Sequence, residues 1–282
     1  MINPTQFNVS EILRALVLGV VQGATEFIPV SSSAHLVIMP WLAGWPDPSL
    51  LFDTVLHWGT LLALLLVFWR ELWAIFIATL QSIGRRSLAD PNARLGWYIV
   101  VGTLPAVGIG YFFEGFFETL YSDAAAAGRA LFITALLLTG SELLARRRAR
   151  GVDLTSVSWD QAIAIGFAQA VALVPGISRS GSTIAMGLGI GLRREAAARY
   201  SFLLGIPAVF GAGLLQLLQA LDTDPTEVTA HLPALVVGFI ASALVGYLVI
   251  RWLLAYLRSH TLYVFAVYCL LLGALVVALA SV

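Results

Sequence analysis

The sequence predicts an all-α integral membrane protein, with six transmembrane helices plus two re-entrant helical hairpins in an inverted repeat. Three observations lead there. The chain of 282 residues is 59% hydrophobic and only 11% charged, with a mean hydropathy of +0.89, far more apolar than a soluble domain of this length. Apolar runs of about 17 to 25 residues can cross a bilayer as helices, and six stretches reach or approach that length. Two further stretches are apolar but broken by proline and clustered serines, and they resemble each other.

Four runs carry no charged residue: Trp97 to Phe113, Tyr200 to Leu221, Leu232 to Ile250 and Thr261 to Val282. The remaining two are Thr54 to Trp69, which holds His57, and the region from Arg129 to Leu144, which holds Glu142. The 16 basic and 16 acidic residues balance, so no nucleic-acid partner is expected and the information lies in where the charges fall. Every basic residue apart from the histidines is Arg. These residues crowd three connections: Arg85, Arg86 and Arg94; "ARRRAR" at 145–150; and Arg251, Arg258 and His260. The positive-inside rule places those in the cytoplasm. The connections with Glu114, Glu118 and Asp123, and with Asp222, Asp224 and Glu227, then lie outside, as do both chain ends. The one cysteine, Cys269, excludes an internal disulfide and reads as a small packing residue. The N-terminus lacks a basic region, and Glu11 and Arg14 interrupt its apolar run, so a cleaved signal peptide is not expected. The whole chain, 1–282, reads as one polytopic domain with pseudo-repeats at roughly 10–145 and 158–282.

The two broken stretches are "GVVQGATEFIPVSSSAH" from Gly19 and "GFAQAVALVPGISRSGST" from Gly166. Both read glycine, two residues, glutamine, an apolar run, proline, then serines, with a one-residue gap before the proline. A helix that enters, breaks and leaves on the same side fits both. Broken backbone is tolerated at membrane depth only where protein or a wet cavity satisfies it. With three spans between them the second hairpin enters from the opposite face, and in such inverted repeats the helix breaks meet near the midplane. The two motifs can therefore share one site.

Their residues suit an anion. A guanidinium at membrane depth costs roughly 2.5 to 3.5 kcal/mol on insertion scales, so Arg179 calls for an anionic partner. Gly176 and Gly181 allow a tight turn, and Ser178, Ser180, Ser182 and Thr183 offer hydroxyls, together a phosphate cradle. The alternative is that Arg179 pairs with Glu26 and staples the hairpins together. Gln22 and Glu26 stand at i and i+4, on one face of a helix, where their oxygens either hold a divalent cation or pack. His35, three residues beyond Ser32, shares its face if the segment after Pro29 is helical and can then act as general base. Asp53 and His57 form a further i, i+4 pair, read as packing or as support for the site. Arg193, Arg194 and Glu195 mark the end of the second hairpin and the start of the next helix.

These motifs resemble a known family. "QGATEFIPVSSSAH" is similar to the (E/Q)xxxE motif region, and "PGISRSGST" to the PGxSRSxxT motif, of the bacterial undecaprenyl-diphosphate phosphatase family (BacA type). The resemblance continues through "FDTVLHWGTLLALLLVFWREL", "TLPAVGIG", "REAAARYSFLLGIPAVFGA" and "FAVYCLLLG". It implies an inner-membrane, multi-pass enzyme that removes the terminal phosphate of the C55 isoprenyl diphosphate carrier for peptidoglycan synthesis. Bacitracin resistance goes with that activity, and the site would open toward the periplasm. Carried over, it makes Glu26 a metal-binding or catalytic acid, Arg179 the diphosphate clamp, and Ser178, Ser180 and Thr183 phosphate ligands, with Gln22 and Ser31 beside them. Ser32 becomes the nucleophile and His35 its activating base, with a water activated by His35 or Glu26 as the alternative attacking group, while Gln22 departs from the Glu-first form of the motif. A divalent cation, Mg²⁺ or Ca²⁺, is the implied cofactor, held at Glu26 and Gln22. The partners expected are the lipid diphosphate and membrane lipids, and a homodimer is left open. The competing reading is a transporter or flippase for a phosphorylated isoprenoid lipid, in which Arg179 binds the headgroup without cleaving it.

Overall fold

The computed structural model describes residues 9–113, 123–147, 151–223 and 231–281. Within them the chain is helical: α1 (Val9–Thr25), α2 (Ser32–Ala43), α3 (Leu50–Arg85), α4 (Pro91–Phe112), α5 (Ala124–Arg146), a 3₁₀ turn (Leu154–Ser156), α6 (Trp159–Val171), α7 (Arg179–Gly189), α8 (Arg194–Thr223), α9 (Leu232–Tyr256) and α10 (Tyr263–Ala280). Six of these, α3, α4, α5, α8, α9 and α10, are long and apolar enough to cross a membrane, and they correspond to the six stretches expected from the sequence. The acidic residues Glu114, Glu118, Asp224 and Glu227 and the arginines Arg148 and Arg150 lie outside the described residues.

Local chemistry sets the helix ends. Ser49 accepts a hydrogen bond from the Phe52 amide to start α3, and Asp90 does the same from Asn92 ahead of Pro91 at the first position of α4. Asp123 caps α5, and Ser158 and Gln161 form a reciprocal capping box on α6. Gly44, with φ of 63°, ends α2. At 1.5 Å per residue α3 is about 54 Å long, which carries its ends well beyond a hydrocarbon core about 30 Å thick. Helices α2 and α7, of 12 and 11 residues, reach only about 17 Å each.

Small residues let the helices approach closely. Helix α1 lies on α9, α6 on α4 and α5 on α10. A Cβ on Gly19 would overlap the Gly238 carbonyl oxygen, one on Gly166 the Gly102 carbonyl oxygen, and one on Gly273 the Gly128 carbonyl oxygen. Between lipid-facing surfaces, van der Waals contact of this kind replaces the hydrophobic drive that water supplies. Leucine, tryptophan and phenylalanine project from the outside of the bundle, as at Leu66, Trp69, Trp73 and Phe76. The buried carboxylate of Glu142 is paired. Glu142, fully buried, receives Arg194 through Nε and Nη2 at 2.7 and 2.5 Å and the Leu262 amide at 2.8 Å. Arg199 on α8 bonds Glu71 on α3 at 2.6 Å. Arg194 thus opens α8, as expected, and also ties it to α5 and α10.

Candidate active site

Both helix pairs break where proline and serine interrupt the apolar run. Between α1 and α2 the chain turns through Glu26 to Ser31, and Ser31 adopts φ of 71°, a left-handed conformation that a serine rarely takes and that favours functional positions. Its hydroxyl accepts from the Ala34 amide, capping α2. Between α6 and α7 the turn runs through Pro175 and Gly176, with Gly176 at φ of 87°, where a side chain would be strained. Ser178 caps α7 by accepting from the Gly181 amide at 2.9 Å.

The two breaks touch. The Gly176 amide donates to Ser33 Oγ at 3.3 Å, and Ser180 Oγ donates to the Ile28 carbonyl at 3.5 Å. Phe27 packs edge-on against Phe202 of α8, ring centroids 5.3 Å apart. The N-termini of α2 and α7 therefore start beside one another, each with its positive dipole end toward the junction.

Glu26 sits at the centre, 7% exposed. Arg179 Nη2 donates to its Oε1 at 2.6 Å. Its Oε2 accepts from Ser32 Oγ at 2.6 Å and from Gln22 Nε2 at 3.1 Å. Arg179 Nη1 donates to the Ser201 carbonyl at 3.3 Å, so the guanidinium is held between α8 and Glu26 with further N–H groups to spare. Thr183 donates to the Arg179 carbonyl at 2.8 Å and meets Ser201 Oγ at 2.6 Å. A cavity of about 270 Å³ adjoins this cluster, with Glu26, Ser31, Ser32, Asp53, His57 and Arg179 among its walls.

The structure thus brings Gln22, Glu26, Ser32 and Arg179 into one hydrogen-bonded group. Ser31 lines the cavity too, whereas Gln22, Ser178, Ser180, Thr183 and His35 are not in its lining. Ser178 and Ser180 face each other at 3.3 Å, and the Ser178 amide donates to Thr134 Oγ1 at 3.1 Å. These hydroxyls shape the turn. The expected pairing of Ser32 with His35 is not formed. His35 lies on the first turn of α2, where Nδ1 reaches back to the Ser31 carbonyl at 2.7 Å and Nε2 meets Tyr268 OH at 2.7 Å, its ring parallel to that of Tyr268. The histidine that faces the carboxylate is His57, whose Nε2 is 3.7 Å from Glu26 Oε2 and whose Nδ1 is bound by the Asp53 carbonyl at 2.7 Å. Because a carbonyl only accepts, Nδ1 carries the hydrogen there.

Two residues were given no role by the sequence, although both lie in the stretch from Arg194 that continues the family resemblance. Gly205 lies against Arg179, and a Cβ there would overlap Nη1. Ser201 supplies both a carbonyl to Arg179 and a hydroxyl to Thr183. Among the described residues no group of three or more His, Cys, Asp or Glu side chains is placed to hold a metal ion. Oxygen donors are nevertheless present, since Gln22 Oε1 is buried without a partner beside the Glu26 carboxylate. Two such donors, completed by phosphate oxygens and water, match how Mg²⁺ is usually bound.

The profile of the family described as "Bacitracin resistance protein BacA" matches residues 15–275. The chain belongs to the BacA family. Among its relatives is a protein named undecaprenyl-diphosphatase from Chloroherpeton thalassium, 43% identical over 279 residues, covering 96% of this chain and 97% of the relative. The proteins of the same name from Thermomicrobium roseum and Chlorobium limicola are 42% and 44% identical, covering 95% and 93% of this chain and 98% and 94% of their own. The BacA match spans both breaks, five of the long apolar helices and α10 as far as residue 275, so it covers every residue of the cluster around Glu26.

Proposed function

We propose that this chain hydrolyses undecaprenyl diphosphate to undecaprenyl phosphate and inorganic phosphate, recycling the lipid carrier of peptidoglycan synthesis and so conferring bacitracin resistance. The observation that carries the mechanism is the Glu26 carboxylate, which joins Arg179 of one break to Ser32 of the other beside a cavity. Membership of the BacA family, and relatives named for that activity, support the reaction.

Phosphoryl transfer depends mostly on positioning and charge neutralisation. Arg179 presents its remaining N–H groups to the phosphate oxygens while α8 holds it through Ser201. Ser32 Oγ attacks the terminal phosphorus in line, giving its proton to Glu26 Oε2, already 2.6 Å away. The bond from that phosphorus to the bridging oxygen breaks, and the lipid monophosphate leaves with the electron pair. Water then attacks the phosphoserine, releases phosphate, and the proton returns to Ser32. A divalent cation, Mg²⁺ or Ca²⁺, held by Glu26 and Gln22 Oε1, supplies further neutralisation of phosphate charge when bound.

The same reading places the protein in the bacterial inner membrane, its two helix pairs dipping in from opposite faces. Each pair's first helix packs on the fourth helix of the other half, α1 on α9 and α6 on α4, which favours an inverted repeat. The cavity is walled by residues from the start of α3 and the end of α8, such as Asp53 and Gln216. The basic residues Arg85 and Arg86 of α3 and Arg194 of α8 lie at the other ends of these spans. With the positive ends in the cytoplasm, the cavity faces the periplasm.

Phosphate release from a C15 or C55 isoprenyl diphosphate by purified protein with Mg²⁺ tests the reaction. Release is expected. None, with headgroup binding retained, would favour the transporter reading. Phosphate label should be trapped on the wild type and not on Ser32→Ala, and undiminished turnover in Ser32→Ala would remove Ser32 as nucleophile.

A further inference from the structure

The two breaks are each preceded by a buried glutamine, and the glutamines differ in what they bond. Gln22 lies in α1 and donates Nε2 to Glu26, four residues later. Gln169 holds the corresponding place in α6, and four residues after it stands Leu173, which offers nothing to a primary amide. Gln169 is only 3% exposed, and both its Nε2 and its Oε1 lack a hydrogen-bond partner. An amide buried with neither end satisfied is costly, and a leucine of similar volume would remove that cost. Gln169 nevertheless lines the cavity that also holds Glu26, Ser32 and Arg179.

We propose that Gln169 is a substrate-contacting residue whose amide N–H groups bind oxygens of the diphosphate in this cavity. The inference rests on the phosphatase reading given above. A neutral amide suits this task. It offers two donors in a plane without adding charge, so it orients the headgroup while Arg179 neutralises it. In the first half of the chain the same residue type is already used by Glu26. In the second half the replacement of that carboxylate by leucine leaves the amide to the substrate.

The test is Gln169→Leu in the full-length purified protein. KM for a C15 isoprenyl diphosphate should rise about tenfold or more, the worth of a hydrogen bond to a charged group, with kcat changed far less. The thermal midpoint should hold or rise, because two unsatisfied groups leave the interior. An unchanged KM would overturn the proposal, and so would a variant that unfolds or melts earlier, since that would make the amide structural. Gln169→Glu, which sets a carboxylate against the phosphates, should bind still more weakly. A second arm separates this inference from the reaction itself. Inorganic diphosphate should raise the midpoint of the wild type and fail to raise that of Gln169→Leu. A wild type that binds diphosphate but releases no phosphate would remove the phosphatase reading alone. A midpoint shift that survives in Gln169→Leu would remove the role of Gln169 alone.

Discussion

The α1–α2 and α6–α7 breaks are built on the same plan and carry opposite chemistry. Each has a buried glutamine before the break, a proline within it, a positive φ near the turn and a serine capping the short helix that follows. The first contributes the carboxylate of Glu26 and the hydroxyl of Ser32, and the second contributes the guanidinium of Arg179. Either is costly alone at membrane depth, because an uncompensated charge there must be paired or neutralised. Brought together, each charge is the other's partner, and the ion pair that holds the breaks in contact is also the group that faces the cavity. The two possibilities read from the sequence for Arg179, staple and phosphate clamp, are therefore compatible in one structure: one Nη2 hydrogen goes to Glu26 and other N–H groups remain.

The sharpest way to break this division of labour is Arg179→Ala. Phosphate release should fall by roughly a hundredfold to a thousandfold or more, as when a preorganised donor is removed from a transition state, while the protein still purifies as a folded species. Activity near that of the wild type would show that the second break contributes no chemistry. Gly205→Ala probes the same arginine without touching it. Its methyl group would displace Nη1, and a shift of an ångström at a positioned group costs on the order of a hundredfold. Turnover should drop with little change in thermal midpoint. Smaller still, and in stability, is the effect expected of Gly166→Ala and Gly19→Ala. Each puts a methyl group onto a neighbouring backbone carbonyl, and overpacking of this kind costs about 1–3 kcal/mol. Thermal midpoints should fall in both, and a fall in only one would mean that the two halves are not held by equivalent contacts. The smallest effect belongs to Tyr268→Phe, which removes the partner of His35 Nε2. A loss of about 0.5–1.5 kcal/mol in stability is expected, read as a slight fall in midpoint.

The spans were legible because length and hydropathy alone determine whether a helix can cross a bilayer, and Tyr200 to Leu221 or Leu232 to Ile250 meet that test without reference to any neighbour. Glu26 and Arg179 were legible because a charge inside an apolar run has no inexpensive explanation. Spacing along one helix also transferred well: the i, i+4 relation of Gln22 and Glu26 becomes a 3.1 Å hydrogen bond. Contacts between helices transferred only where two buried charges called for each other, as Glu26 and Arg179 do. Ser32 and His35 stand three apart on α2, yet Tyr268 of α10 and the Ser31 carbonyl take both ring nitrogens of His35. His57 reaches Glu26 from α3, and nothing in the local pattern of "FDTVLHWG" points to that carboxylate. Gly205 looks like one more small residue in a membrane helix until Arg179 is seen lying against it. The resemblance makes Ser178 and Ser180 phosphate ligands, and what the local pattern could not show is that their hydroxyls also cap α7 and close the junction.

The claim that two breaks form one site is tested most directly by a double-mutant cycle on phosphate release, with Glu26→Gln, Arg179→Lys and the combined variant. Groups that act as a unit give losses that do not add. The double variant should therefore be little worse than the more damaged single one. Losses that multiply across the pair, as for independent sites, would contradict the account.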